Sequence, residues 1–274
     1  MTWTRGPRHA PLLEVRALLR LLPTEQGGRH SPVRSRYHPD WDLGNTWTGE
    51  PTIHGGQVVL LGVDEVGPGE ACDVVIEPLA AEFWCEVRVG SVIVAREGRR
   101  VVGHATVLAV ASPVAGFSPT FGRFAARAHE YCAFVEQAAA LELGERLRLA
   151  RVRLLDLYRA GVDLPDVDVT KEEDAPPITV ERPIDWPGFG AFEFYWEVFD
   201  PYEREEPACG ELSDDVLDVY ADVLEGLHLW RAGRWLEAAW LWRFTCRAHW
   251  GTHVTGALRA LDRALRDDVM ASDS

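Results

Sequence analysis

The stretch FWCEVRVGSVIVAREGRRVVGHATVLAV, residues 83–110, decides the fold class of the first part of this chain. It holds two Val- and Ile-rich runs on either side of Glu97 and Gly98, the pattern of a β-hairpin with a short turn. Two similar runs precede it, GGQVVLLG (55–62) and ACDVVIEPLA (71–80), with turn-forming residues between them. Short strands repeated at intervals of about ten residues predict a small β-barrel or sandwich.

The hydrophobic period changes after SPVAGFSPTFG (112–122), which we interpret as a linker. Phe124, Ala128, Tyr131 and Val135 then recur every three to four residues, as expected for an amphipathic helix.

More helices are predicted downstream of that first one. We expect one over about 145–160, one with its N-cap at Ser213, and a Trp-rich one over about 235–267. The second part of the chain is therefore predicted to be helical.

Three ordered blocks in the first part carry a family resemblance. They are TEQGGRHSP (24–32) followed by YHP (37–39), PGE (68–70) followed by IEP (76–78), and REGRRVVG (96–103). They resemble the EGGRHTP…YRP, PGD…HP and REGGRTVG segments of the third domain of elongation factor Tu, a small β-barrel. The resemblance covers Leu12–Val110, but the family's GTPase domain and second barrel are missing, and its TDVTG segment is changed to NTWTG (45–49).

The resemblance implies a contact with tRNA or a protein, because that barrel helps to hold the T-stem of tRNA and contacts the GTPase domain and the exchange factor. It assigns Arg29 and His30 to the tRNA side. The basic side chains that extend this surface are Arg34, Arg36, Arg99 and Arg100. The alternative is a structural or protein-docking role, since Gly27 and Gly28 shape a turn whatever the ligand. Two phosphate contacts alone would bind RNA weakly, so tRNA binding would need a partner.

A second resemblance covers Phe124–Leu265. It rests on YWEVFDP (195–201), on SDD (213–215), and on WLWRF (240–244) continuing to HWGTH (249–253), which look like a bacterial helical family of unknown function. We therefore predict a multi-domain β + α protein. A small six-stranded β-barrel over 10–111 is followed by the linker 112–122 and an acidic α-helical bundle over 123–270.

The charge of the chain is concentrated in one segment. Of a formal net charge of −15, residues 163–215 contribute 17 acids against 3 bases, whereas residues 1–111 are nearly balanced, with 13 acids and 11 bases. This excludes broad nucleic-acid binding for the second domain only. The single lysine, Lys171, is not in a GxxxxGK[ST] motif, so the chain is not a P-loop GTPase and we expect no GTP binding.

The acidic segment also contains eight aromatic residues between Trp186 and Tyr202. One interpretation is a partner-binding rim of aromatic anchors in an acidic field, suited to a basic protein. Its candidate residues are Trp186, Phe192, Tyr195, Trp196, Glu197, Asp200, Tyr202 and Glu205. The alternative is a long connection held to the bundle by buried rings, with its carboxylates facing water.

A possible metal site is the remaining chemical signal. His249 and His253 are four residues apart, a spacing that lets two imidazoles on one helix face share an ion, and Asp214, Asp215 and Asp218 could add carboxylates if the helices pair. The HExxH motif of metalloproteases is absent. Two histidines beside tryptophans also serve as packing and hydrogen-bonding residues.

The leading hypothesis is a non-catalytic binding or adaptor protein, in which the barrel docks on translation-related partners and the helical domain holds a second, basic protein. We expect no cofactor. The alternatives are an immunity-type toxin inhibitor and a metal-dependent hydrolase that uses His249 and His253. Five scattered cysteines, the absence of a long apolar run and the absence of a secretory signal favour the cytoplasm and no membrane partner.

Overall fold

A computed structural model describes residues 13–46, 51–112, 118–167, 180, 185–198 and 200–272. The chain divides into two compact units, residues 1–122 and 123–274. Parts of several predictions lie outside the described residues: most of NTWTG, the middle of the linker, Lys171 and Phe199. Among the helices in the described part, none combines the length and apolarity that crossing a bilayer requires.

The first unit is built on β-strands. Their bounds are β1 Glu14–Leu21, β2 Val33–Arg34, β3 Asp40–Thr46, β4 Pro51–Leu60, β5 Glu65–Val66, β6 Ala71–Pro78, β7 Val92–Glu97 and β8 Arg100–Ala111. In the described part of this unit, six strands close into a barrel in the order β1-β6-β4-β3-β7-β8, with antiparallel neighbours. β2 and β5 form a small separate pair. The predicted six-stranded barrel is confirmed.

Alternation of side chains along the strands fills the barrel. In β1, Val15, Ala17 and Leu19 are fully buried while the residues between them are not, as the two-residue period of a strand requires. Trp41 and Trp84 are also fully buried and meet edge to face, with ring centroids 6.1 Å apart. Closure removes the exposed sheet edges on which other chains could pair.

Two turns of the barrel depend on glycine. The predicted hairpin is present: β7 pairs with β8, and Gly98 between them has a φ of +58°. In the TEQGGRH block, Gly27 has a φ of +85°, and a Cβ on Gly28 would lie 2.0 Å from the carbonyl oxygen of Leu22. Both residues of the Gly-Gly pair are therefore required by the backbone itself.

The second unit is mainly helical. Its helices are α1 Pro119–Gln137, α2 Leu143–Val162, α3 Leu212–Arg231, α4 Trp235–Thr245 and α5 Gly251–Ser272. A π-helical segment, Cys246–Trp250, joins α4 directly to α5. Two short strands, β9 Phe194–Glu197 and β10 Ala208–Glu211, pair into an antiparallel hairpin before α3. The mixed β and α fold class is confirmed.

Helix starts differ from the sequence-based expectation. Helix α1 begins at Pro119, inside the segment interpreted as a linker. Helix α3 begins at Leu212 with Glu211 as N-cap, not at Ser213. The Ser213 amide instead donates to the Glu193 carboxylate at 3.0 Å, so the orphan N–H is satisfied by a side chain 20 residues away. Such a cap leaves no local sequence signature.

The helical core follows the predicted faces. Phe124, Ala128, Tyr131 and Val135 of α1 are buried. Of the five tryptophans between residues 230 and 250, Trp230, Trp242 and Trp250 are buried, whereas Trp235 and Trp240 are only partly so.

Candidate functional site

A cluster of acids and histidines lies where α3 faces the π segment and α5. Asp215, Asp218 and Asp222 occupy positions i, i+3 and i+7 of α3, which places them along one face of that helix. His249 lies in the π segment and His253 in the first turn of α5. We call these five residues the His–Asp cluster.

Asp215 is the buried member of the cluster, with only 6% of its surface exposed. One carboxylate oxygen lies 2.7 Å from Nδ1 of His253, and the other accepts a hydrogen bond of 2.6 Å from the Tyr195 hydroxyl. This hydrogen bond to Asp215 raises the pKa of His253, while burial opposes it. Burial and the same carboxylate raise the pKa of Tyr195. Asp215 is thus an acceptor that holds two side chains in place.

The outer part of the cluster is more open. Nδ1 of His249 lies 2.8 Å from the Asp222 carboxylate, and Nε2 of His253 lies 3.6 Å from that of Asp218. The two imidazole rings are 4.8 Å apart and nearly perpendicular. One ligand atom each from Asp218, His249 and His253 lie within 4.8 Å of one another. These atoms could hold a metal ion.

The π segment carries one of the two histidines. Its backbone needs glycine at the exit, because a Cβ on Gly251 would lie 2.2 Å from the carbonyl oxygen of Cys246. The glycine inside HWGTH, which as a sequence feature indicates a weakened helix, is therefore a requirement of the π turn. Single π turns inside α-helices occur frequently at functional sites.

The β9–β10 hairpin closes the buried side of the cluster. Its inward residues are Tyr195, bonded to Asp215, and Glu197, which approaches α5 at Gly256. A Cβ on Gly256 would lie 2.5 Å from both the Glu197 carboxylate and the Tyr195 hydroxyl. Burial, followed by the nearby Asp215 charge, raises the pKa of Glu197.

The predicted partner rim divides into two groups. Trp186, half-buried, donates to the Ser213 hydroxyl at 2.7 Å, and Tyr195 and Glu197 face the bundle, so these three serve the fold. Phe192 is also only partly exposed. Trp196 is 69% exposed and Tyr202 is 96% exposed, and Asp200 and Glu205 are exposed beside them in the chain. Phe194, at 67% exposed, belongs to the outward group, and period-two alternation along β9 could have identified it.

Three of the six residues of the predicted basic surface of the barrel form ion pairs with acids. Arg29, with 18% of its side chain exposed, forms an ion pair with Glu97 and lies over the Tyr37 ring, its guanidinium carbon 4.9 Å from the centroid. Arg100 bonds the same Glu97. The remaining candidates, Arg34, Arg36, Arg99 and His30, are exposed, and Arg34 is paired with Glu65 at 3.0 Å.

One orienting acid, Asp222, was missed by sequence reasoning. The metal hypothesis named Asp214, Asp215 and Asp218 with the histidines, and of these acids the structure places Asp218 in the three-residue group within the described residues. Asp215 bonds His253 instead, and Asp222 bonds His249. The position of Asp222 seven residues after Asp215 on α3 was the available signal.

Part of the second unit matches a described protein family. Residues 187–267 match the model of a family described as a domain of unknown function (DUF5063). The match confirms that the second half resembles a family without an assigned activity, over a shorter range than predicted. The crystal structure of protein BF1032 from Bacteroides fragilis is also similar, with 18% sequence identity and a TM-score of 0.43. The similarity covers 52% of this chain and 89% of that protein.

Proposed function

We propose that this protein is a non-catalytic binding protein whose helical unit docks a basic protein on the outward face of the β9–β10 hairpin. The observation that carries the proposal is the exposure of three large aromatic side chains in one short region: Phe194 at 67%, Trp196 at 69% and Tyr202 at 96%. Aromatic residues of this kind are the usual anchors of protein interfaces.

The chemistry around the anchors favours a basic partner. The residues that follow β9 include the exposed acids Asp200, Glu203, Glu205 and Glu206, with Arg204 as the base among them. Lysine and arginine side chains of a partner would pair with these carboxylates, and their stems or guanidinium groups would cover the rings. Acidic surroundings of this kind increase the association rate with a basic protein.

The hairpin is held in place before any partner arrives. On its inner face, the Tyr195 hydroxyl donates to Asp215 at 2.6 Å. Along its edge, Arg259 of α5 donates to the Trp196 carbonyl oxygen at 3.1 Å. A surface ordered in this way loses little conformational entropy on binding.

The barrel is the second half of the proposal: we infer that it docks on a translation-related partner. Its support is the resemblance to the third domain of elongation factor Tu, together with a closed barrel in which the REGRRVVG block forms the β7–β8 hairpin. Because Arg29 pairs with Glu97, the exposed His30 and Arg99 are better probes of RNA contact than Arg29.

The test is a pull-down from native lysate with full-length protein. We expect Trp196→Ala combined with Tyr202→Ala to lose the helical unit's partner, and Leu155→Ala, which removes an aliphatic side chain 54% exposed on α2, to keep it. Capture by the double variant at the wild-type level would contradict the docking face. A basic toxin in the captured material would favour the alternative hypothesis that the protein is an immunity-type toxin inhibitor.

The barrel is tested in the same experiment by His30→Ala combined with Arg99→Ala. Loss of co-purifying RNA or of a translation component would support docking through this surface. Unchanged partners, with no RNA captured by the wild type or by the double variant, would count against it.

Binding through the acidic face of the helical unit should also weaken at about 0.5 M salt, where the screening length is only about 4 Å.

A further inference from the structure

We propose that His249, His253 and Asp218 bind one divalent transition-metal ion, with Asp222 and Asp215 as the carboxylates that orient the two imidazoles. The proposal uses none of the outward hairpin residues and is independent of the docking function. It departs from the expectation that the protein needs no cofactor. The starting observation is that one ligand atom from each of the three residues lies within 4.8 Å of the others.

The second observation is that each histidine has its own carboxylate on Nδ1. His249 is 2.8 Å from Asp222, and His253 is 2.7 Å from Asp215. A carboxylate that accepts the Nδ1 proton fixes the tautomer and leaves the Nε2 lone pair for a metal. Metal-ligating histidines almost always have such a partner, and the cluster has two.

Distances around His253 suit a small ion. Its Nε2 lies 3.6 Å from the Asp218 carboxylate. Two donors around a tetrahedral zinc ion, each about 2.1 Å from it, are separated by about 3.4 Å. The ligand atom of His249 lies within 4.8 Å of the other two and would have to move closer to them when the ion binds.

The donor types and their exposure indicate which ion binds and how. Two imidazoles and one carboxylate suit Zn²⁺ or Fe²⁺ better than Ca²⁺ or Mg²⁺, which prefer oxygen ligands throughout. The side chains are 48% exposed at His249, 27% at His253 and 18% at Asp218, so an ion can enter from solvent. Three protein ligands leave a position for water, as in catalytic zinc sites and unlike closed structural ones.

The experiment uses the full chain without an affinity tag, stripped with EDTA and titrated with zinc chloride by calorimetry. We expect about one equivalent of Zn²⁺ to bind per chain. Asp218→Asn should weaken binding at least tenfold, and so should His249→Ala. Asp222→Asn, which changes only an orienting group, should weaken it by about 10- to 100-fold. His228→Ala removes an exposed histidine of α3 outside the cluster and should bind like the wild type.

Co²⁺ substitution distinguishes a ligand from a merely structural residue. Its visible spectrum should change in Asp218→Asn and His249→Ala while the far-ultraviolet circular dichroism stays the same. Binding of less than about 0.1 equivalent by the wild type would overturn the proposal, as would equal affinity in the wild type and Asp218→Asn. Because Asn nearly matches Asp in shape, Asp218→Asn still tests the site if His249→Ala fails to fold.

Discussion

Two charged networks, one in each unit, show how similar residues serve different ends. In the barrel, Glu97 accepts hydrogen bonds from Arg29, Arg100 and the Tyr37 hydroxyl, so its carboxylate is surrounded by donors. In the His–Asp cluster, three carboxylates face two imidazoles, and the outer groups remain open to solvent. A carboxylate surrounded by donors stabilises a fold, whereas a surplus of carboxylates beside partly exposed imidazoles provides ligands.

The largest effect is expected from Asp215→Ala. This change leaves the Tyr195 hydroxyl and His253 without their shared acceptor, which should cost about 2–4 kcal/mol in metal-free protein. Amide hydrogen exchange should accelerate in residues 212–231 and stay unchanged in residues 71–78 of the barrel. Glu205→Ala, at an exposed acid, is the control. A loss below about 0.5 kcal/mol would mean that the buried network does not hold the hairpin.

A smaller effect is expected from Glu97→Ala, the matching change in the barrel. It removes the common acceptor of Arg29, Arg100 and Tyr37, and because Glu97 is partly exposed the cost should be about 1–2 kcal/mol. Exchange should accelerate in strands β7 and β8. The exposed pair Arg34–Glu65 offers a control, since Glu65→Ala should cost no more than about 0.5 kcal/mol. If Glu97→Ala and Glu65→Ala cost the same free energy of unfolding, the Glu97 network would stabilise the barrel no more than an exposed ion pair does.

Added salt should change the stability of the two units to different degrees, with a smaller effect than the two substitutions above. Residues 112–274 carry 30 acids and 17 bases, whereas residues 1–111 are nearly balanced, so screening should relieve repulsion only in the helical unit. Raising sodium chloride to about 1 M should slow exchange in α3 by an amount worth less than about 1 kcal/mol. Exchange in β6 should change little. Parallel responses would show that the surplus charge does not strain the helical unit.

The smallest effect concerns His54 in β4, whose ring stacks on Phe83 with centroids 4.3 Å apart. Burial lowers the pKa of His54, and Glu82 opposes the shift. A histidine with a lowered pKa contributes stability above its unfolded pKa of 6.5, and this stability is lost as the pH falls. Protection factors in β4, which correct for the intrinsic pH dependence of amide exchange, should therefore fall slightly between about pH 7 and pH 5, and His54→Gln should abolish that fall. A dependence that persists in the variant would assign the titration to another group.

Patterns with a short period were readable from the sequence. The β7–β8 hairpin followed from two apolar runs around Glu97-Gly98, and the buried face of α1 followed from the spacing of Phe124, Ala128, Tyr131 and Val135. In both, the signal lies in neighbours whose periodicity is set by the backbone. The candidate site was half readable, because His249 and His253 are four residues apart whereas their acid partners lie on another helix.

The sequence by itself determined the order of a barrel and a helical unit, the concentration of acid in residues 163–215 and the absence of a P-loop, since each depends on composition or local period. Only the tertiary structure decided which aromatic residues face outward, that Glu193 caps α3, and which aspartates bond the histidines. The physical reason is that these choices depend on contacts between elements distant in the chain, where burial and hydrogen-bond satisfaction select one partner among many chemically equivalent residues.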